Sequence, residues 1–138
     1  MSAVVIDASA GAEIVADTKR GRALAKLLPD GAEGWVPEHF YAEVLAVLRR
    51  QSLIEKVLPE AKAAAAVGRL RAWHLHKASV APLVDAAWAY RHNITAADSL
   101  YVVLTEQLNA DFLTDDHNLV DGPTFPRSIN VLRLPLRP

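Results

Sequence analysis

Short runs of β-branched and aromatic residues alternate with helical segments along the whole chain, and this alternation leaves few ways to fold. Strands separated by helices do not pair as hairpins. They pair in parallel, through right-handed crossovers. The expected fold class is α/β: a three-layer α/β/α sandwich with a central, mainly parallel sheet of four to five strands. The first run, Val4-Val5-Ile6, ends in Asp7. That acid falls at the carboxyl end of a buried strand, where open parallel sheets bind their ligands. Two positions on, the hydroxyl of Ser9 is expected to cap the helix that follows.

The remaining elements are read from pattern and punctuation. Residues 3–7 form the first strand, and helices follow at 9–18 and 20–28, broken near Lys19–Gly21 and stopped by Pro29-Asp30-Gly31. Trp35 and Val36 end a second strand, and Pro37 leads into a helix over 38–51 with Phe40, Val44, Val47 and Leu48 on its buried face. A helix at 60–73 carries the small-residue run Ala63–Ala66, a surface suited to close packing. A short strand at 74–78 precedes a helix over 79–90 capped by Ser79. Thr95-Ala96-Ala97-Asp98 has capping-box spacing and opens a helix to Leu108. Residues 111–114 form a fourth strand and 129–132 a last one, with Pro135 and Pro138 ending regular structure.

The chain has 138 residues and reads as a single domain spanning 1–138, with no repeat or linker. No run is long enough to span a bilayer and no leader-like segment opens the chain, so a soluble, cytoplasmic protein is expected, without a membrane partner. There are no cysteines, which excludes disulfides, thiolate zinc sites and cysteine nucleophiles. The net charge of −1 argues at first against a nucleic-acid partner. Basic residues nevertheless gather: Lys19, Arg20, Arg22 and Lys26, then Arg49-Arg50, then Arg127, Arg133 and Arg137.

Four acids fall where such a sheet brings them together. Asp7 ends the first strand, Glu43 lies toward the apolar face of its helix, Asp98 is in a first helical turn, and Asp116 follows the fourth strand. Each alone has an ordinary explanation, for example a dipole-stabilised acid at a helix start. Together in one crevice they repel one another and call for a cation. An all-oxygen donor set favours a hard ion, Mg2+ or Mn2+. Such a site activates water and stabilises the charge that develops on a phosphodiester.

Four segments carry a resemblance: VVIDASA at 4–10, PEHFYAEVLAVLRR at 37–50, NITAADSLYVVL at 93–104 and DFLTDDHNLV at 111–120. In order and spacing they resemble the PIN-domain ribonucleases, and within them the VapC-type toxins of type II toxin–antitoxin modules. The resemblance implies a metal-dependent endoribonuclease whose acidic set is Asp7, Glu43, Asp98 and Asp116. Ser9 and Thr114 match the small hydroxyl positions that orient them. Asp115 fills a variable position beside Asp116, and which of the two reaches the metal stays open. The resemblance also implies a homodimer, an RNA substrate and inhibition by a small cognate antitoxin. Arg20, Arg22 and Arg49 are candidates to hold the RNA backbone.

Other readings compete. A PIN-like fold that acts mainly through its protein partner, with little catalysis, would need a degenerate acidic set, and all four acids are present. A phosphohydrolase with a strand-end Asp nucleophile usually has a second Asp two positions on, where this chain has Ser9. His74 and His76 alternate on a strand but lack a third ligand. His117 reads as a surface histidine, and Trp35, Trp73 and Trp88 as core or interface residues.

Overall fold

The computed structural model describes residues 2–136; Arg137 of the last basic group and Pro138 lie outside them. Five strands form the sheet: β1 (Ala3–Ile6), β2 (Glu33–Pro37), β3 (His76–Ala78), β4 (Asp111–Leu113) and β5 (Val131–Leu132). All four pairings are parallel, and the order across the sheet is β3-β2-β1-β4-β5. The central strand is thus the first one made. It pairs on one side with β2, through Val4 and Gly34, and on the other with β4, through Val5 and Phe112.

Helices α1 (Ala8–Val15) and α2 (Lys19–Ala25) connect β1 to β2, and α3 (Phe40–Arg49) and α4 (Glu60–Ala72) connect β2 to β3. Both crossovers move outward in one direction. The return from β3 to β4 passes through α5 (Val84–Trp88) and α6 (Ala96–Leu108) in the opposite direction, and α7 (His117–Val120) leads to β5. Right-handed connections running opposite ways place their helices on opposite faces of a sheet. The packing agrees: α1 meets α2, α3 and α4, whereas α5 and α6 pack together and α6 lies on β1 and β2. Tyr101, Phe40, Phe112, Ile6 and Leu24 are the largest fully buried side chains and fill the space on either side of the sheet. Among the described residues, no helix is long and apolar enough to cross a membrane.

Several local expectations shift. The break between the first two helices falls earlier than Lys19–Gly21. Asp17 takes a left-handed φ of 56°, and the Thr18 hydroxyl accepts the Gly21 N–H at 2.9 Å, starting α2 at Lys19. Ser79 caps no helix. A 3-10 turn at Ala81–Leu83 with Pro82 near its start replaces the first half of the expected segment. Beyond α3 the chain continues through a π-helical turn, Arg50–Ile54.

The end of α6 matters for the site because it aims β4. Asn109 closes it in the left-handed conformation, φ 50°, and Ala110 donates back to the Thr105 carbonyl at 3.0 Å. Asn tolerates this conformation better than a residue with an apolar Cβ substituent. Asn109→Ala is expected to cost about 1 kcal/mol in thermal unfolding, and Asn109→Gly to leave stability level or slightly higher.

Candidate active site

At the divergence of β1 from β4 the carboxyl edge of the sheet opens, the switch-point geometry of parallel sheets. Asp7 occupies it. The residue is only 4% exposed, and its backbone N–H donates to Leu113 of β4 at 2.9 Å. One carboxylate oxygen, Oδ2, accepts two hydroxyls: Ser9 at 2.9 Å and Thr114 at 2.8 Å. Ser9 Oγ in turn accepts the backbone N–H of Asp115 at 3.0 Å, and Thr114 Oγ1 accepts that of Asp116 at 2.9 Å. The expected cap is therefore corrected. Asp7 itself stands at the N-cap of α1 with no side-chain capping bond, and Ser9, inside the helix, spends its hydroxyl on the carboxylate.

The Asp7 carboxyl is pushed up to about 7: burial raises it most, the Thr114 and Ser9 hydroxyls pull against that, and the charges of Asp98 and Asp116 add to the rise. Asp98 opens α6, where its backbone N–H meets the Thr95 hydroxyl at 3.3 Å. Burial raises its carboxyl as well, with Asp116 and Glu43 adding to the rise and Thr95 and His39 opposing it. Asp116 caps α7, its Oδ1 accepting the Leu119 N–H at 3.1 Å. Asp7, Asp98, Asp116 and Glu43 thus share one electrostatic field.

Glu43 enters from α3. Tyr101, fully buried on α6, donates its hydroxyl to Glu43 Oε1 at 2.7 Å. His39, four residues before Glu43, approaches the same oxygen at 3.5 Å and the Ala97 carbonyl at 3.1 Å through Nε2. Its ring packs edgewise on Tyr101 with centroids 5.0 Å apart. His39 Nδ1 is buried and unpartnered among the described residues. The sequence reading assigned neither residue a role. The signals were there: the helical i,i+4 step from His39 to Glu43, and the i,i+3 step that puts Tyr101 beside Asp98.

Whether this donor set suits a cation has two answers. As the side chains stand, no three His, Asp or Glu residues among those described converge tightly enough to enclose an ion. The chemistry nonetheless fits. Burial and mutual repulsion raise two of the carboxyls, hydroxyls and His39 offset that rise only in part, and a hard divalent cation relieves such a condition.

The three arginines part company. Arg20 turns inward, its Nε donating to both oxygens of Asp115 at 3.0 and 2.9 Å, so it is not a free surface cation. Arg22 lies on the surface against Asp17 at 3.3 Å. Arg49 is exposed at the end of α3, on the rim of a groove of about 720 Å3 between α3 and α4. His76 stacks on Trp35 with centroids 4.7 Å apart and faces Glu33 at 3.6 Å, a structural role. Trp73 packs against the core, whereas Trp88 is 67% exposed.

A parallel sheet with acids gathered about its switch point defines a class: α/β domains whose site lies at the carboxyl edge between two strands whose connections run on in opposite directions. A family model described as PIN domain matches residues 4–122, and the chain belongs to that family, on its VapC branch. Ribonuclease VapC1 of Mycobacterium tuberculosis is 34% identical over 133 residues, covering 96% of this chain and 95% of that one. Ribonuclease VapC12 of the same organism is 29% identical over 119 residues, covering 86% and 91%. Among solved structures, M. tuberculosis VapC20, described as a sarcin-ricin loop cleaving toxin, superposes with a TM-score of 0.62. At 17% identity over 83% of this chain and 91% of that one, this is a likeness of fold.

Proposed function

We propose that this chain is a divalent-metal-dependent endoribonuclease toxin, a single PIN domain over 1–138 that acts in the cytoplasm and is neutralised by a small cognate antitoxin. The observation that carries the reading is the buried Asp7 at the switch point of the sheet, tied through the Thr114 hydroxyl to the backbone of Asp116. The curated VapC relatives, each bearing the name ribonuclease, support it. Asp7, Asp98, Asp116 and Glu43 would hold Mg2+ or Mn2+, which when bound supplies an acidified water and positive charge to offset that developing on a phosphodiester.

The protein's own work is positioning. Ser9 and Thr114 fix one oxygen of Asp7, Oδ2. Thr95 sets the first turn of α6, and with it Asp98. Tyr101 and His39 hold Glu43. Arg22 and Arg49 meet backbone phosphates of the RNA. Exposed Leu45, Leu53 and Val67 near the α3–α4 groove suit a protein partner, in keeping with an antitoxin and a homodimer.

The test is cleavage of RNA by the purified, antitoxin-free chain with Mg2+ or Mn2+ and its loss in chelator, paired with induced expression of wild type and Asp98→Asn. Growth arrest by the wild type alone supports the reading. Folded protein that cleaves no RNA with either ion defeats it. The rival, a binding module with little catalysis, draws on the lack, among the described residues, of three acids or histidines gathered to hold an ion. It predicts no Mn2+ uptake in calorimetry, where the toxin reading predicts uptake.

Tyr101 gives a sharper check. Tyr101→Phe removes one hydroxyl and leaves a buried ring of almost the same shape. Cleavage is expected to fall about tenfold, as when a group orienting a metal ligand is removed, with the KM for RNA unchanged. The stability cost should be about 1 kcal/mol, read in denaturant.

A further inference from the structure

Trp88 ends α5 with 67% of its surface exposed, although an aromatic ring gains much from burial. The Arg91 guanidinium lies over the indole, 5.0 Å from its centroid, and Nη1 donates to the Trp88 carbonyl at 3.0 Å. Among the described residues Arg91 joins no ion pair, so its charge stays open to a ligand. Beside the pair lies a cavity of about 400 Å3, lined by Val84, Ala87 and Trp88 of α5 and by Thr95, Ala96 and Ser99 at the start of α6. That first turn of α6 also carries Asp98, whose N–H the Thr95 hydroxyl accepts at 3.3 Å. Three residues span about 4.5 Å of a helix axis. The cavity therefore lies within one helical turn of an acid of the site.

Two occupants suit an exposed tryptophan: a second copy of this chain, or an unpaired base of RNA. A stable dimer buries about 800 Å2 on each partner around an apolar centre. The apolar surface here is small. Of α5 only Val84 and Trp88 are large and exposed, and Asp85, Arg91, His92 and Asn93 stand exposed around them. A base asks for less: a flat π face, a cation for the adjoining phosphate, and room for one nucleoside. Trp88, Arg91 and the cavity supply these together. We infer that Trp88 and Arg91 form a nucleobase subsite beside the acidic crevice, where an unpaired base of the RNA stacks on the indole and its phosphate meets the guanidinium. This rests on the reading of RNA as substrate and deepens it, since bases stacked inside a duplex cannot reach the ring and the subsite selects single-stranded RNA.

The experiment is binding of a short, end-labelled single-stranded RNA, read by anisotropy in chelator, with light scattering and a thermal melt for each protein. Trp88→Ala is expected to bind about tenfold or more weakly. Trp88→Phe keeps an aromatic face and should lose less, whereas Trp88→Leu keeps apolar bulk without the face and should fall with the alanine variant. Arg91→Gln should weaken binding and lower the slope of log affinity against log salt by about 1. On a duplex of the same sequence, Trp88→Ala should match wild type. Wild-type affinity for the single strand in Trp88→Ala overturns the inference, as does a wild type that binds no RNA. Equal losses on strand and duplex overturn it as well. A dimer lost in Trp88→Ala, with dimer and affinity both kept in Trp88→Leu, assigns this face to a second copy and overturns it too. Wild type that binds RNA through Trp88 yet cleaves none with Mg2+ or Mn2+ overturns the nuclease reading and leaves the subsite standing; an active nuclease whose variants bind as wild type overturns the subsite only.

Discussion

Asp7→Asn is expected to abolish RNA cleavage and, in the same molecule, to stabilise the metal-free fold. The first effect should be about 10³-fold or larger, since the side chain that anchors the acidic set no longer carries charge. The second follows from proton linkage. The Asp7 carboxyl keeps its proton up to about 7 in the fold, against an ordinary value of 3.8. Between those two values the folded protein holds a proton that the unfolded chain has released, so stability falls as pH rises across the window. Above it, the full cost of a buried carboxylate among like charges remains. Asn avoids this cost and can still accept the Ser9 and Thr114 hydroxyls at its amide oxygen. The gain at pH 8 in chelator should be roughly 2–4 kcal/mol. That corresponds to a melting temperature higher by roughly 5–15 °C. Near pH 4 the two proteins should melt together. Paired melts at pH 4 and pH 8 read both limbs, and equal melting temperatures at pH 8 would refute the account of Asp7.

The other large effect is mechanical. Gly21 lies where α2 crosses α1, and a Cβ built there would sit 1.9 Å from the Glu13 carbonyl oxygen and 2.4 Å from its carbon. These are backbone atoms of a buried helix and cannot swing aside, so α1 and α2 must separate. Gly21→Ala gains about 1 kcal/mol of helix propensity. Against this stands overpacking at or beyond the upper end of its usual range, about 3 kcal/mol. A net fall in melting temperature of roughly 10 °C is expected. The internal control is Gly68 of α4, half-buried and with only the Arg71 guanidinium 3.8 Å from the Cβ position. There the same exchange should stabilise by about 0.5–1 kcal/mol, measured in parallel denaturant curves.

The contrast between these glycines marks what could be read without coordinates. Local patterns are carried by neighbours in the chain, so the strand ending in Asp7, the helix opening at Thr95 and the parallel sheet were all legible. The burial of Phe40, Val44 and Leu48 was legible too, because it follows from helical spacing. Partnerships across the fold left weaker traces. Tyr101 and Glu43 are 58 positions apart, and nothing within either segment announces the bond between them. Arg20 illustrates the same gap with a sign error: among basic neighbours it reads as a surface cation, yet its partner comes from 95 positions away. Ser9 was placed correctly beside Asp7. Its hydroxyl serves the acid rather than the helix end because Asp7 holds the N-cap position, and Ser9 Oγ accepts the Asp115 N–H in place of a helix-end N–H.

The sheet order has a consequence in time as well as space. β1 is made first and sits in the middle, but one of its neighbours is β4, so that Val4 waits for Asp111. The hydroxyl of Thr114 that seats Asp7 comes 107 residues after it. Long-range parallel pairing closes slowly, and a nascent chain folds from its amino end as it emerges. A ribosome that has not yet passed Asp116 therefore carries a chain with at most three of the four acids. On the proposed reading, the acidic set is complete only once the last of its members has been made and β4 has paired with β1.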